Sequence, residues 1–194
     1  MGLSTLVLGL IVFFAPHVFV TRREARARLI ARIGEAPYKI AFSVISAIGI
    51  ALIAYGFARY RATEWINLWD PPVWARHLAL QLNWLAMICI AAAYIPGNIK
   101  RALKHPMLVG VKIWAFAHLI ANGDLGSIIL FGSFLAWAVF DRITLKRRSD
   151  SGAPAIRNGG WRADLAAIVV GTAVYAAIVF YLHLALIGVP VIGG

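Results

Sequence analysis

Long runs of apolar residues, separated by short polar and basic stretches, dominate the chain. They are most continuous at 1–20, 40–57, 73–95 and 165–190, where charged residues are nearly absent. Runs of roughly 17–25 apolar residues fit the hydrocarbon core of a bilayer, about 30 Å thick, as helices. With two shorter runs, the pattern predicts six apolar helices, at about 3–20, 38–57, 73–95, 106–120, 125–140 and 163–190. We therefore expect an all-α, polytopic membrane helix bundle with about six transmembrane helices.

The fourth and fifth predicted helices are the short ones. Asn122-Gly123-Asp124 between them has the composition of a tight turn, so we expect a helical hairpin. Either this pair packs behind the longer helices, or it extends through the flanking residues 100–104 and 141–146. No internal repeat is visible, and we expect a single transmembrane domain over residues 1–194. Small residues that recur in the second, fifth and sixth helices should allow close helix contacts: Gly49, Gly56, Gly132, Ser133 and Gly171.

The composition agrees with a membrane protein. Hydrophobic residues make up 61% of the chain, which is more apolar surface than a soluble domain of this size has to bury. The first run lacks a basic start and a small-residue cleavage pattern, so we interpret it as a retained helix rather than a signal peptide. Cys89 is the one cysteine. It cannot form an intrachain disulfide, and no cysteine spacing typical of zinc or of covalently attached haem occurs.

The formal net charge of +11 is concentrated in loops, which favours contact with lipid headgroups over binding of nucleic acid. Lys and Arg cluster in the loops after the first, third and fifth predicted helices. The positive-inside rule places these three loops in the cytoplasm and both termini on the opposite side of the membrane. In the first loop, Ala25, Leu29 and Ile33 recur every four residues opposite arginines, which predicts an amphipathic surface helix.

Among the ionisable residue types in the predicted helices, histidine is the best candidate for catalysis or metal binding. The five histidines are at positions 17, 77, 105, 118 and 183. A pair of catalytic carboxylates, a GxSxG elbow, a phosphate loop and an HExxH motif are all absent from the sequence. Ionisable groups inside a membrane are candidates for function, and neutral imidazole is the commonest metal ligand. The alternative for each histidine is an interfacial or hydrogen-bonded structural role, which we favour for His77.

The segment KRALKHPMLVGVKIWAFAHLIANGD, residues 100–124, carries two of these histidines. His105 precedes Pro106, and because proline suits the first turn of a helix, we expect His105 near the N-cap. There it would face headgroups or an anionic group of a cofactor, such as a haem propionate. His118 comes thirteen residues later, about 20 Å along the helix and on a different face, so the two histidines cannot share one metal ion.

Two further residues of this segment are candidates for cofactor binding. Trp114 lies one turn before His118, so an aromatic ring should flank the imidazole. Lys112 is in mid-helix, where a charge is costly. We expect its ammonium group either to reach the interface or to contact a bound anionic group.

At this point the sequence resembles a known family. RALKHPMLVGVKIWAFAH, together with FFAPHVF and LWDPPVWARHLAL, is similar to the NnrU family of bacterial membrane proteins and to its plant and cyanobacterial relative, zeta-carotene isomerase. The resemblance covers most of residues 1–140. It implies a haem b, held in the isomerase by a first-helix histidine and by the histidine of a WC-x-x-H stretch. Those positions match His17 and His118, which the resemblance makes the expected iron ligands.

The resemblance also implies a biological setting. The NnrU branch is associated with denitrification and nitric oxide metabolism, so nitric oxide or a redox partner is expected besides haem and membrane lipids. A bacterial inner membrane follows, with both termini on the periplasmic side.

Several alternatives remain open. A haem-dependent polyene isomerase is the main one, although Ala115 stands where the isomerase has a second, cysteine ligand. By depth along the predicted helices, His118 groups better with His77 and His183, which are alternative ligands. A looser RHP-x-x-x-G pattern also occurs in isoprenylcysteine methyltransferases, but the chain lacks their Arg/Glu-rich tail. A transporter or assembly factor with structural histidines is the remaining alternative.

Overall fold

The computed structural model describes residues 1–147 and 159–192. Throughout these residues the chain is helical or in short connections, apart from one isolated antiparallel bridge between Asn67 and Asp124. The helices are α1 (Gly2–Thr21), α2 (Arg23–Ile33), α3 (Glu35–Thr63), α4 (Val73–Tyr94), α5 (Asn98–Leu103), α6 (Pro106–Ala121), α7 (Leu125–Lys146) and α8 (Gly160–Ile187). The all-α prediction is therefore confirmed.

Within the described residues, five helices are long and apolar enough to cross a membrane: α1, α3, α4, α7 and α8. Helix α6 is apolar but has 16 residues, so it is about 24 Å long, which is less than the hydrocarbon thickness of about 30 Å. The prediction of about six transmembrane helices is thus close. Helix α7 continues to Lys146, so the alternative prediction that it extends through residues 141–146 is confirmed. Long charged side chains in a last turn can reach the interface.

Local sequence explains where several helices begin. His105 is the N-cap of α6, and Pro106 follows in its first turn. Proline is tolerated there because the N–H that it lacks would have no partner within the helix. Gly34 joins α2 to α3 with a φ of 88°, a left-handed value that glycine adopts without steric penalty. Helix α2 itself has no buried residue, so the predicted surface helix after the first span is present.

The chain forms two compact units, and unit one comprises Met1–Trp69 and Gly123–Ser133. Its centre is the pair of helices α1 and α3, which run antiparallel with their backbones in close approach. A Cβ added to Gly9 would lie 2.6 Å from the backbone nitrogen of Ile53, and one added to Gly49 would lie 2.7 Å from that of Phe13. Such close packing holds membrane helices together, because lipid provides no hydrophobic force between them.

The predicted small-residue contacts are confirmed in part. Added Cβ atoms at Gly49, Gly56 and Gly171 would collide with the backbone of a neighbouring helix. The prediction was wrong for Gly132, since nothing lies within 4 Å of its added Cβ. Ser133 donates its hydroxyl to the Ile129 carbonyl of the same helix at 2.6 Å, because a hydroxyl in apolar surroundings needs a local acceptor.

The end of unit one that contains the N-terminus is fixed by hydrogen bonds. The Glu64 carboxylate, which follows α3, accepts the backbone N–H groups of Gly2 at 2.6 Å and Leu3 at 3.0 Å, and it also pairs with the Met1 amino group. These bonds provide acceptors for N–H groups that the first turn of a helix leaves unpaired. The same bonds lower the pKa of Glu64 to about 2, with the amino group contributing most.

The connection after α3 is also bonded to the start of α7. Leu68 donates its N–H to the Gly123 carbonyl at 2.8 Å, and Leu125 donates to the Ile66 carbonyl at 2.9 Å. Asp124 is fully buried and accepts the Ser127 N–H at 2.9 Å, which makes it the N-terminal cap of α7.

Unit two comprises residues 70–122 and the described residues from 134 onward. Helix α4 is central, and α6 and α8 both pack on it. Gly110 of α6 lies against Ala86 and Ile90, whereas Gly171 of α8 lies against Ile88. At 100° per residue these contacts fall on opposite sides of α4. Asp164 in α8 accepts the Ile99 N–H at 2.9 Å, which attaches the short helix α5 to the first turns of α8.

Replacing Gly49 tests the contact between α1 and α3. Gly49→Ala should destabilise the protein by about 1–3 kcal/mol, because the added methyl group overpacks a helix interface. Thermal unfolding in detergent measures the change. Gly132→Ala is the matched control, because its methyl group enters open space and alanine favours a helix by up to about 1 kcal/mol over glycine. Equal effects of the two substitutions would contradict the assigned contact.

Glu64 should make the stability depend on acid pH. Its pKa falls from 4.5 to about 2 on folding, so its contribution is present above pH 4.5 and is lost as the pH falls towards 2. We expect Glu64→Gln to lower the melting temperature at pH 7 and to flatten its decline below pH 4.5. Glu24→Gln, on the exposed helix α2, should leave the pH profile unchanged. A Glu64→Gln profile parallel to that of the wild type would refute the assignment.

Candidate functional site

His17 lies in the second half of α1, in unit one, and is half-buried. Its Nδ1 is 2.6 Å from the Phe13 carbonyl oxygen, one turn earlier in the helix. The imidazole is stacked on the Phe13 ring with centroids 4.2 Å apart, and the Phe42 ring of α3 lies 5.0 Å away. Two aromatic rings and one backbone bond therefore fix the orientation of the His17 ring.

His118 has a similar environment in α6, in unit two. Its Nδ1 is 2.8 Å from the Trp114 carbonyl oxygen, again one turn earlier. The centroids of the Trp114 ring and the imidazole are 5.1 Å apart, which confirms that an aromatic residue flanks His118. The Trp114 ring also contacts the Phe134 ring edge-on, with centroids 5.4 Å apart. Both histidines thus follow an aromatic residue at a spacing of four.

These hydrogen bonds assign the tautomer of both rings. A carbonyl oxygen can only accept, so Nδ1 must donate in each case. In the neutral imidazole the lone pair then lies on Nε2. Metal-ligating histidines commonly donate their other ring N–H to a carbonyl or carboxylate, which fixes the tautomer and raises the basicity of the ligand. His17 and His118 each have the hydrogen-bond pattern of an Nε2 iron ligand.

His105 begins α6 after an unusual turn. Lys104 has φ 61° and ψ −45°, and the His105 N–H donates to the Leu103 carbonyl at 2.7 Å, so the three residues form a γ-turn. A γ-turn with a positive central φ is rare and strained. The strain arises beside His105 because a residue before proline is kept out of the helical region. Stored backbone strain is typical of functional sites.

Lys112 is half-buried in the middle of α6. No ion pair or hydrogen bond to its ammonium group is present among the described residues. It comes seven residues after His105, nearly two full turns, and so lies on the same helix face, whereas His118 lies on another face. Helical side chains lean towards the N-terminus, so Lys112 leans towards His105. Contact with a bound anionic group stays a prediction for both residues.

The two alternative ligands differ in their surroundings. His77 is exposed on α4. His183 is half-buried, directly follows a π-helical turn at Ile178–Leu182, and has its Nδ1 2.7 Å from the Val189 carbonyl oxygen. Because π turns are frequent at functional sites, His183 is the stronger of the two alternatives.

The predicted site residues are distributed over both units. His17 belongs to unit one, and His105, Lys112, Trp114 and His118 belong to unit two. Across residues 1–147 and 159–192, no group of three or more His, Cys, Asp or Glu side chains is arranged to hold a metal ion. Sequence reasoning missed the Phe13 contact of His17, although the four-residue spacing of Phe13 and His17 repeats that of Trp114 and His118.

Comparison with known proteins gives one family assignment. The family described as NnrU protein matches residues 5–191 of the 194-residue chain. The match extends the resemblance expected for residues 1–140 to the end of α8. No curated protein and no solved structure matches the chain.

Replacing Lys104 tests the strained turn before α6. Lys104→Gly should stabilise the protein by up to about 1 kcal/mol, since glycine tolerates a positive φ. Arg101→Gly is the control, because Arg101 is inside helix α5, where glycine destabilises by about 1 kcal/mol. Thermal unfolding in detergent should give shifts of opposite sign. A destabilising Lys104→Gly would show that the γ-turn is absent.

Proposed function

Because the chain belongs to the NnrU family, we propose that it is an integral membrane protein that binds haem b through His17 and His118 and acts in nitric oxide or denitrification metabolism. The setting is a bacterial inner membrane with both termini on the periplasmic side. Haem, membrane lipids, and nitric oxide or a redox protein are the proposed partners. The structure supports the spanning helices, and the other parts are the proposal.

The shared tautomer of His17 and His118 carries this proposal. Each Nδ1 is committed to a backbone carbonyl, at 2.6 and 2.8 Å, and each ring then presents a lone pair on Nε2. Metal-ligating histidines commonly donate their other ring N–H to such an acceptor, which fixes the tautomer and the orientation of the ring. Both bonds run within one helix turn, so they form wherever α1 and α6 are helical.

The aromatic neighbours suit a porphyrin ligand. Phe13 and Phe42 contact His17, and Trp114 contacts His118, so each imidazole is held among rings that exclude water. When bound, haem iron supplies one-electron chemistry and a binding position for small molecules such as nitric oxide. The apolar surroundings and the two nitrogen donors of this chain would set the potential of that iron.

The charge distribution supports the proposed orientation. Arginines crowd α2, directly after α1, and Lys100 and Arg101 lie in α5 after α4. Anionic lipids of the cytoplasmic leaflet attract such segments. We place these loops at the cytoplasmic surface, with the connection between α3 and α4 on the other side.

A polyene isomerase that uses haem is the second candidate from the family resemblance. In this chain the position of the isomerase cysteine is Ala115, whose side chain is fully buried and carries no sulfur. A ligand exchange between cysteine and histidine therefore has no donor here. We rank haem binding linked to nitric oxide above isomerisation for this reason.

Optical and electron paramagnetic resonance spectra of the purified protein test the proposal. We expect a Soret band, a pyridine haemochrome typical of haem b and a low-spin ferric signal. His17→Ala and His118→Ala should each abolish the band or convert the signal to high spin, because one axial nitrogen is lost. His77→Ala is the matched control and should leave both spectra unchanged.

Two other results of these spectra would change the assignment of the iron ligands or contradict haem binding. If His183→Ala rather than His17→Ala alters the spin state, the iron ligands are His118 and His183. A protein that stays colourless after haem supplementation would contradict haem binding altogether.

A further inference from the structure

Four buried polar atoms of unit one have no hydrogen-bond partner within the described residues. One is Oδ2 of Asp124, whose other oxygen accepts the Ser127 N–H. The other three lie on α2 and α3, and they are the Tyr38 hydroxyl, the Ser46 hydroxyl and the Nε of Arg26. Tyr38 is 7% exposed, so water does not readily reach its hydroxyl. Leaving a buried donor unsatisfied costs about 1–3 kcal/mol, and native proteins seldom retain such a group without a reason.

These groups lie beside His17. Tyr38, Phe42 and Ser46 are four residues apart on α3 and form one stripe of that helix. The stripe faces α1, because Gly49 at its end packs against Phe13. His17 contacts Phe42, the middle member, at 5.0 Å. Tyr38 and Ser46 therefore each lie about 6 Å, one helical turn, along α3 from the residue that His17 touches.

Arg26 adds a positive charge at the Tyr38 end of this stripe. Its guanidinium lies over the Tyr38 ring, 5.6 Å from the centroid. The Glu35 carboxylate is bonded to Lys39 at 2.7 Å. Among the described residues no ion pair to Arg26 is present, and its planar fork suits carboxylate and phosphate oxygens.

The chemistry of these donors defines the ligand they need. Arg26 Nε can only donate, and a tyrosine hydroxyl donates readily. A group that satisfies both must offer acceptor oxygens, and the guanidinium favours an anion. Charge-assisted bonds of this kind are roughly twice as strong as neutral ones. Apolar occupants such as acyl chains would leave both donors unsatisfied.

We propose that Arg26 and Tyr38 form a binding site for an anionic carboxylate or phosphate group beside His17. Two sources have this chemistry: a propionate of the porphyrin or the phosphate of a lipid headgroup. The propionate source rests on the proposed haem function, and the lipid source does not.

Two conservative variants isolate the proposed contacts. Tyr38→Phe removes one hydroxyl and keeps the ring beneath Arg26, and Arg26→Gln removes the charge and the planar fork. The matched controls are Tyr55→Phe, on the same helix but 61% exposed, and Arg28→Gln, exposed on α2. Circular dichroism and gel filtration confirm that each variant is folded before binding is compared.

The propionate source is tested by porphyrin loss. Wild-type protein is loaded with iron protoporphyrin IX or with its dimethyl ester, and transfer to a haem-scavenging apoprotein is followed optically. We expect the wild type to release the ester about tenfold faster than the free acid. Tyr38→Phe and Arg26→Gln should release the free acid about tenfold faster than wild type and discriminate less between the two porphyrins.

The lipid source is tested with haem-free protein in nanodiscs of phosphatidylglycerol or phosphatidylcholine. Here we expect phosphatidylglycerol to raise the melting temperature of the wild type and of both controls more than that of Tyr38→Phe or Arg26→Gln. A lipid effect without a porphyrin effect supports the anion site with lipid as the source. If the protein binds no haem, the proposed function fails while this measurement still decides the anion site. Variants equal to their controls in both measurements would overturn the proposal.

Discussion

The hydrocarbon core of a bilayer contains no water, so a polar group inside it must be bonded within the chain or to a bound partner. The helices meet this constraint for the backbone. Side chains meet it locally, as when Ser133 donates to a carbonyl of its own helix and when His17 and His118 do the same through Nδ1. The orientation of the candidate ligands therefore follows from the need to satisfy one ring nitrogen.

The same constraint makes the buried polar groups without a hydrogen-bond partner informative. Within the described part of the chain no acceptor bonds the Tyr38 hydroxyl or the Arg26 Nε, and the Arg26 guanidinium lies over the Tyr38 ring. A polar pair held in this way adjoins the aromatic stripe that contacts His17. The proposed iron ligand and the proposed anion contact lie within one unit, as a cofactor with both a metal and acidic groups would require.

Much of the fold could be predicted from the sequence, because the length and spacing of apolar runs reflect the bilayer directly. The sequence correctly predicted the start of a helix at Pro106, the exposed helix α2 and the close helix contact at Gly49. Gly132 was misjudged, since a small residue allows a close contact but does not create one. For α7 hydropathy alone gave an end at residue 140, whereas the alternative extension through residues 141–146 is confirmed.

The candidate site was predictable in its residue types more than in its detailed arrangement. The pairing of His118 with Trp114 follows from helical spacing, and the same rule applied to α1 would have given Phe13. The γ-turn at Lys104 was not predictable, because nothing in the side chain of lysine indicates a positive φ. Nor could the unsatisfied hydroxyl of Tyr38 be foreseen, since satisfaction depends on every neighbouring group. The single-domain expectation for 1–194, the bound haem and the orientation in the membrane stay predictions.

The shortness of α6 has a consequence for the lipid around it. A 16-residue helix that meets lipid produces a hydrophobic mismatch of several ångströms, which a membrane accommodates by local thinning. Phe116, 48% exposed on α6, lies on the same face as Lys112, so the thinned patch would form beside that lysine. The headgroups there would come closer to mid-membrane, which shortens the distance over which the Lys112 side chain has to extend to reach them.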